Sequence, residues 1–377
     1  MTPIEILDYF KSRESDIVDL IREIVDIESP SFDIEQSEAV TAWIERKAFG
    51  LRTSLRVERY FAEGCGKHIL IGPFDEPSEH TLIIGHTDTV HPIGTNQKNP
   101  TRIEGDRLYG CGVFDMKANI VLALEVMRFF AATKTPLAKP VTLFFSCDEE
   151  VGSATGRPWI EQEAAKADKC LVLEPSANGR VKTSRKGTGM FKLRAHGVPA
   201  HAGLEPEKGA NAVAELARQV DRVQAIQRPE IGTTVNVTTF HGGTTLNVIP
   251  EHAECEIDMR YSVAEEATRV VTELRGLAPD NPRVSLELIG DVNRPPLERT
   301  DAVAGLYEKA RALGESFGYE VGEVGVGGGS DGNFVAALGV PVLDGLGVTG
   351  DGAHTLDEHI LISDIAKRAT LVALMLM

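Results

Sequence analysis

Cysteine is scarce and scattered: the five residues, at positions 65, 111, 147, 170 and 255, are odd in number and show no CxxC spacing. A disulfide framework and a sulfur-ligated zinc site are therefore not expected, and a reducing, cytoplasmic setting fits. Positive charge is also short, with 39 Lys and Arg against 56 Asp and Glu and a net charge of −17. Nucleic-acid phosphates need a basic footprint, which argues against such a partner. The same balance offers an anionic substrate no long-range attraction, so any carboxylate specificity must come from a local basic cluster. No apolar run approaches the length of a membrane span. The opening stretch, MTPIEILDYFKSRESDIVDLIREIVDI, lacks the basic start and continuous apolar run of a secretion signal. It reads instead as amphipathic helix, with Ile17, Leu20, Ile21 and Ile24 on one face. Repeats and low-complexity tracts are missing, and the glycine-rich turn GVGGGSDG (325–332) lacks the lysine of a phosphate loop.

What is present suits a globular enzyme: 42% apolar and 25% charged residues. A chain of 377 residues exceeds one ordinary core, so two domains are expected. Short apolar runs at 68–74, 81–86, 141–147 and 169–175 read as buried strands, with an amphipathic helix over 119–134 between the second and third. Buried strands alternating with helices predict an α/β layer, a mixed, mostly parallel sheet covered by helices. From about 180 to 293 the style changes. FKLRAHG, TVNVTTFHGG and AECEIDMRYS alternate polar with apolar residues, as strands exposed on one face do, and two helical stretches accompany them. An inserted α+β module over 179–293 is expected, within a domain made of 1–178 and 294–377. Helix followed by buried strand returns after it.

Polar groups follow directly on the apolar runs. Leu82–Gly85 leads into His86-Thr87-Asp88, Phe144–Cys147 into Asp148-Glu149-Glu150, and Leu171–Leu173 into Glu174. Val342-Leu343 heads a run ending near His354, and Asp115 lies just before a helix. Open α/β sheets place their ligand sites at the carboxyl ends of strands. Two histidines and three carboxylates can hold two zinc ions if one carboxylate bridges, and hydrolytic sites leave a position for water. A base uncommitted to metal is also needed, and the adjacent acids Glu149 and Glu150 supply one residue for each task.

The ordered set GHTDTV, GVFDMK, CDEEVGS, LEPS, GVPAHAG, NVIPEHAECEIDMR, GGGSDG and GAHT resembles the dizinc peptidase family of bacterial glutamate carboxypeptidase. Acetylornithine deacetylase, succinyl-diaminopimelate desuccinylase and aminoacylase are relatives. The likeness spans essentially the whole chain. It implies that His86 and Glu174 bind one zinc, Glu150 and His354 the other, and that Asp115 bridges them. It further implies Glu149 as general base, Asp88 as the group orienting His86, and a cis bond between Asp115 and Met116. The inserted module would be a ferredoxin-like dimerisation lid, carrying His201 to a partner's site to hold the oxyanion. Asn247 and Arg260 would bind substrate, Arg260 pairing with a carboxylate, and Lys182, Arg294 and Ser184 stand where further substrate contacts are expected.

Against these readings stand plainer ones. His201 suits a helix start or core, Arg260 an interface salt bridge, and Lys182, Arg294 and Ser184 the surface or lid lining. Glu149 and Glu150 could exchange roles. His68, His80, His91, His196, His241, His252 and His359 are expected to pack or face solvent, and Cys111 and Cys147 to pack as small buried groups. The expectation is a cytoplasmic homodimer with two zinc ions, replaceable by cobalt or manganese. It would act on an N-acyl amino acid or short peptide and release a C-terminal glutamate. Deacylation of an N-acyl amino acid is the rival chemistry, and a non-catalytic binding module would require a missing ligand or base.

Overall fold

Gly85 is the penultimate residue of a strand in which every residue from His80 to His86 is buried. A Cβ on Gly85 would meet Met116 Cε at 2.3 Å, so only glycine lets Met116 lie beneath the strand end. In the computed structural model, residues 1–50, 56–72 and 79–377 are described, and they divide into two compact units. The first comprises Met1–Ser184, Arg299–Val326 and Ser330–Met377; the second comprises Arg185–Glu298 and Gly327–Gly329. Residues 179–184 therefore lie with the first unit and 294–298 with the second.

The first unit is built on a six-stranded mixed sheet. Its order is Arg56–Ala62, Gly66–Gly72, Val141–Ser146, His80–His86, Ala167–Val172 and Val342–Leu343. The last four run parallel, and the first two are antiparallel to their neighbours. Burial on both faces explains why the central strands read as unbroken apolar runs. The strand expected over 68–74 occupies Gly66–Gly72, and its last two expected residues lie outside the described ones. The helix expected over 119–134 is Ala118–Thr133, and it shares one core with Ile83, Leu143, Phe145, Leu171 and the helix Ile362–Met375.

One expectation needs correcting. The opening amphipathic stretch forms two helices, Pro3–Ser12 and Glu14–Val25, not one. Arg13 leaves helical geometry at φ −105°, ψ 3°, and its guanidinium pairs with the buried Glu125 at 2.9 Å. Tyr9 and Phe10 meanwhile pack on Phe129. Periodicity within one segment cannot register a break made by contacts with a helix more than a hundred residues away.

The second unit follows the order strand, helix, two strands, helix, strand. Its antiparallel sheet runs Thr234–Gly242, His252–Tyr261, Gly187–His196, Ser285–Arg294. That is the ferredoxin-like arrangement. Along Gly187–His196 and His252–Tyr261, buried residues alternate with more exposed ones. Phe191, Leu193, Ile257 and Met259 join Leu216, Val223, Val270 and Leu274 from helices Ala212–Ala225 and Glu265–Arg275 in a single core. Among the described residues, no helix is long and apolar enough to cross a membrane.

Candidate metal centre

Parallel register brings the strand ends of the first unit together. His86 lies opposite Ser146, and Ile84 opposite Val172, so Glu149, Glu150 and Glu174 issue from the same edge as His86. Asp115 comes to this edge from the segment before helix Ala118–Thr133, through a cis bond to Met116. His354 arrives with left-handed geometry at φ 65°.

Asp115 sits at the centre. Its Oδ1 lies 3.0 Å from His86 Nε2, which is 3.4 Å from Glu174 Oε1. Its Oδ2 lies 3.4 Å from His354 Nε2, which is 3.3 Å from Glu150 Oε2. Two histidine–glutamate sets thus meet the two oxygens of one carboxylate. Ligand atoms of His86, Asp115 and Glu150, taken across both sets, also lie within 4.8 Å of one another. The cluster is therefore a single compact group, not two separate ones.

The acids and imidazoles of the cluster shift one another strongly. Burial opposes a charged His86 ring, but the carboxylates of Asp115, Asp88 and Glu174 outweigh it and hold the ring well above its usual value. Asp115 and Glu150 raise His354 to about 10. Asp115 is itself held far below the carboxylate range: burial raises it, and His354 and His86 lower it by more. Burial pushes Glu150 up, and its Oε1 is buried without a hydrogen-bond partner. A clustered set of imidazole nitrogens and carboxylate oxygens with an orphaned acceptor fits a cation of the zinc type.

Asp88 holds the cluster in two ways. Its main-chain carbonyl accepts from His86 Nδ1 at 2.9 Å, while its carboxylate stands 3.4 Å from the same nitrogen. The carboxylate itself accepts the backbone N–H of Glu149 and of Glu150, each at 3.1 Å, and the hydroxyl of Ser31 at 2.8 Å. This support for the Glu149-Glu150 turn is a role that the sequence did not announce. His68, expected only to pack or face solvent, is buried and has a defined tautomer. Its Nδ1 accepts from Cys147 N, so Nε2–H faces the Thr155 hydroxyl, which donates to Asp148. All five cysteines are buried and unpaired.

The remaining candidates fall elsewhere. Lys182 and Ser184 belong to the first unit and lie on the strand Val181–Arg185, where Lys182 N donates to Asp344 O at 2.7 Å. In the second unit, His201 and Asn247 are neighbours, with Ala202 N donating to Asn247 O at 2.9 Å. His201 Nδ1 accepts from Gly203 N and Leu204 N at 3.1 and 3.0 Å. The proton of the neutral ring is therefore on Nε2, and the residue is exposed. Arg260 is bidentate to Asp258, with contacts of 2.9 and 2.7 Å. Arg294 is buried, against Gly329, and its Nη1 donates to Asn293.

Comparison with known proteins shows the family. The chain is 29% identical over 367 residues to carboxypeptidase G2 of Pseudomonas sp. (strain RS-16), covering 96% of this chain and 88% of that protein. It is 32% identical over 310 residues to succinyl-diaminopimelate desuccinylase of Verminephrobacter eiseniae, covering 75% and 74%. In fold it is similar to the aminopeptidase PepT of Bacillus cereus, with a TM-score of 0.75 at 22% identity over 96% of this chain and 98% of that one. The M20 family metallo-carboxypeptidase Sso-CP2 of Sulfolobus solfataricus gives 0.74 at 18% identity, over 95% and 98%. Residues 82–377 match the peptidase family M20/M25/M40, and the chain belongs to that family of hydrolytic metallopeptidases.

Proposed function

We propose that this hydrolase cleaves the amide bond of a terminal amino acid bearing a free carboxylate, releasing glutamate from N-acyl, peptidyl or folate-type conjugates. The observation that carries the reading is the shared carboxylate of Asp115, facing His86 with Glu174 on one side and His354 with Glu150 on the other. In this reading His86, Glu174 and Asp115 hold one zinc ion, and Glu150, His354 and Asp115 a second. Cobalt or manganese would suit the same nitrogen and oxygen donors. Ions bound there lower the pKa of water and polarise the scissile carbonyl.

The chain's own groups do the rest. Glu149, one residue from the ligand Glu150, accepts the proton of the attacking water and delivers it to the departing nitrogen. His201 donates Nε2–H to the developing oxyanion, a role supported by the two backbone N–H groups that occupy its Nδ1. Arg260 pairs with the substrate carboxylate, exchanging Asp258 for it. Asn247, Lys182, Arg294 and Ser184 complete the substrate contacts. The working form is a homodimer in the cytoplasm, with the inserted module as its dimerisation lid; the buried, unpaired cysteines support a reducing compartment.

A second reading keeps this machinery and changes the substrate. Relatives named succinyl-diaminopimelate desuccinylase, at 29–32% identity, favour deacylation of an N-acyl amino acid. The deciding experiment compares N-acyl glutamates, a pteroyl glutamate, acetylornithine, succinyl-diaminopimelate and neutral N-acyl amino acids, with zinc-loaded and chelator-treated protein. Metal-dependent release of glutamate above the others supports the first reading. Preference for another amino acid moves the enzyme to the deacylase branch, and turnover unaffected by chelation overturns the metal assignment.

A further inference from the structure

Glu358 is completely buried, and its carboxylate gathers three chain segments that are distant in sequence. Oε1 accepts the backbone N–H of Phe114 at 2.8 Å and of Asp115 at 2.9 Å. Oε2 accepts the backbone N–H of Gly112 at 2.8 Å and Nε2–H of His91 at 2.7 Å. Each oxygen therefore has two donors. Its own carbonyl accepts Gly110 N at 3.2 Å, tying the 358 segment to the start of the same loop. His91 follows His86 by five residues, and Glu358 follows His354 by four.

We infer that Glu358 is the positioning residue that sets Asp115 and His354 in register with His86, with His91 as its support. The inference rests on the proposed metal site and adds a group that contacts none of its ligand side chains. The physical reason is the directionality of the acceptor. A loop that must turn from Gly112, at φ 72°, through Phe114 to Asp115 exposes several backbone N–H groups with no strand or helix partner. One buried carboxylate satisfies three of them at once, and so fixes the direction in which the Asp115 side chain leaves the backbone. Because Glu358 shares a short segment with His354, the same contact carries that histidine toward Asp115 Oδ2. Glutamine at this position keeps the size but sets an NH2 group against two donors, which repels them and leaves buried N–H groups unpaired.

The test uses the full chain, stripped of metal and titrated with Co2+, whose visible absorption reports ligand geometry. Wild type, Glu358→Gln and Glu358→Asp are compared for stoichiometry, affinity and band shape, with circular dichroism and thermal unfolding of the metal-free forms alongside. Glu215→Gln serves as comparator. Glu215 is likewise fully buried and accepts backbone N–H groups, from Asp280 and Asn281 at 2.9 and 3.0 Å, but in the second unit. We expect Glu358→Gln to bind Co2+ about ten- to a hundred-fold more weakly, with an altered spectrum. Glu215→Gln should lower the unfolding temperature and leave the spectrum as in wild type.

A folded Glu358→Gln protein with wild-type affinity and spectrum overturns the inference. Wild type that takes up no metal ion overturns the proposed site itself, a different and separable failure. Should Glu358→Gln not fold, His91→Gln is measured in the same way. Removing that imidazole from Oε2 should weaken Co2+ binding several-fold and shift the spectrum, and an unchanged spectrum there equally overturns the inference.

Discussion

Asp88 accepts the backbone N–H of Glu150 on its carboxylate at 3.1 Å, across 62 positions of sequence. The other oxygen does the same for Glu149. One side chain thus aims the two acids to which ligand and base roles are proposed, while its carbonyl orients His86. Asp88→Asn should therefore disturb more than one imidazole. An amide can accept on only one of the two oxygen positions, so one of these N–H groups would face a donor. Activity and metal affinity are expected to fall together, each by about ten- to a hundred-fold. Metal titration and initial rates on the same preparation check this; a change in rate with unaltered metal binding would confine Asp88 to orienting the base.

Glu149→Ala separates base from ligand. Turnover should fall by about 10²–10⁴-fold, the range for a lost general base, while metal content remains that of wild type. Elemental analysis beside single-turnover rates decides. Metal loss in this variant, with retention in Glu150→Ala, would mean that the two acids exchange roles.

His201→Ala removes the Nε2–H donor proposed for the oxyanion. An interaction made only in the transition state should lower kcat by about 10²–10³-fold and leave KM nearly unchanged. Steady-state kinetics on the preferred substrate provide the measurement, and an effect confined to KM would assign His201 to ground-state binding.

Arg260 and Asp258 form a testable pair. Arg260→Ala should raise KM by about ten- to a hundred-fold, the value of charge-assisted hydrogen bonds, and lysine should restore it incompletely because it lacks the planar fork. Asp258→Ala removes the carboxylate that holds the fork at 2.7 Å, and should lower KM if substrate must displace it. A rise in KM would show instead that Asp258 aims Arg260.

Acid stability of the second unit should carry the mark of Glu266. Its bidentate pairing with Arg269 lowers its carboxyl from 4.5 to about 2, against the opposing effect of burial. The folded value is depressed, so the contribution is fully present above 4.5 and is lost as pH falls from 4.5 to about 2. Glu266→Gln should flatten the pH dependence of unfolding in that window and have no such effect on its slope above it, as followed by circular dichroism.

Much of the candidate centre was legible because His86, Glu150 and Glu174 follow apolar runs, and parallel strands bring their carboxyl ends to one edge. Asp115 and His354 lie outside the sheet; their places before a helix and beyond a strand singled them out, and their roles came from the ordered motifs. Glu358 escaped notice although it stands four residues beyond His354, because a buried acid carries no local pattern that names its donors. His91 was read as a packing or surface residue for the same reason: its partner lies 267 positions away. The single opening helix was overread because the break at Arg13 coincides with a contact to Glu125.

By itself the sequence determined the two styles of strand, the residues that end them and the family to which they belong. Alternation and apolar runs report how each residue meets the core within its own segment, and those are local properties. Only the tertiary structure decided how the two oxygens of Asp115 are shared, that Asp88 supports the Glu149-Glu150 turn, and that Glu358 gathers the loops of His91, Asp115 and His354. Hydrogen bonds between segments require a donor and an acceptor to coincide within about 3 Å. Such coincidence is set by the packing of whole elements, and no short stretch of sequence contains it.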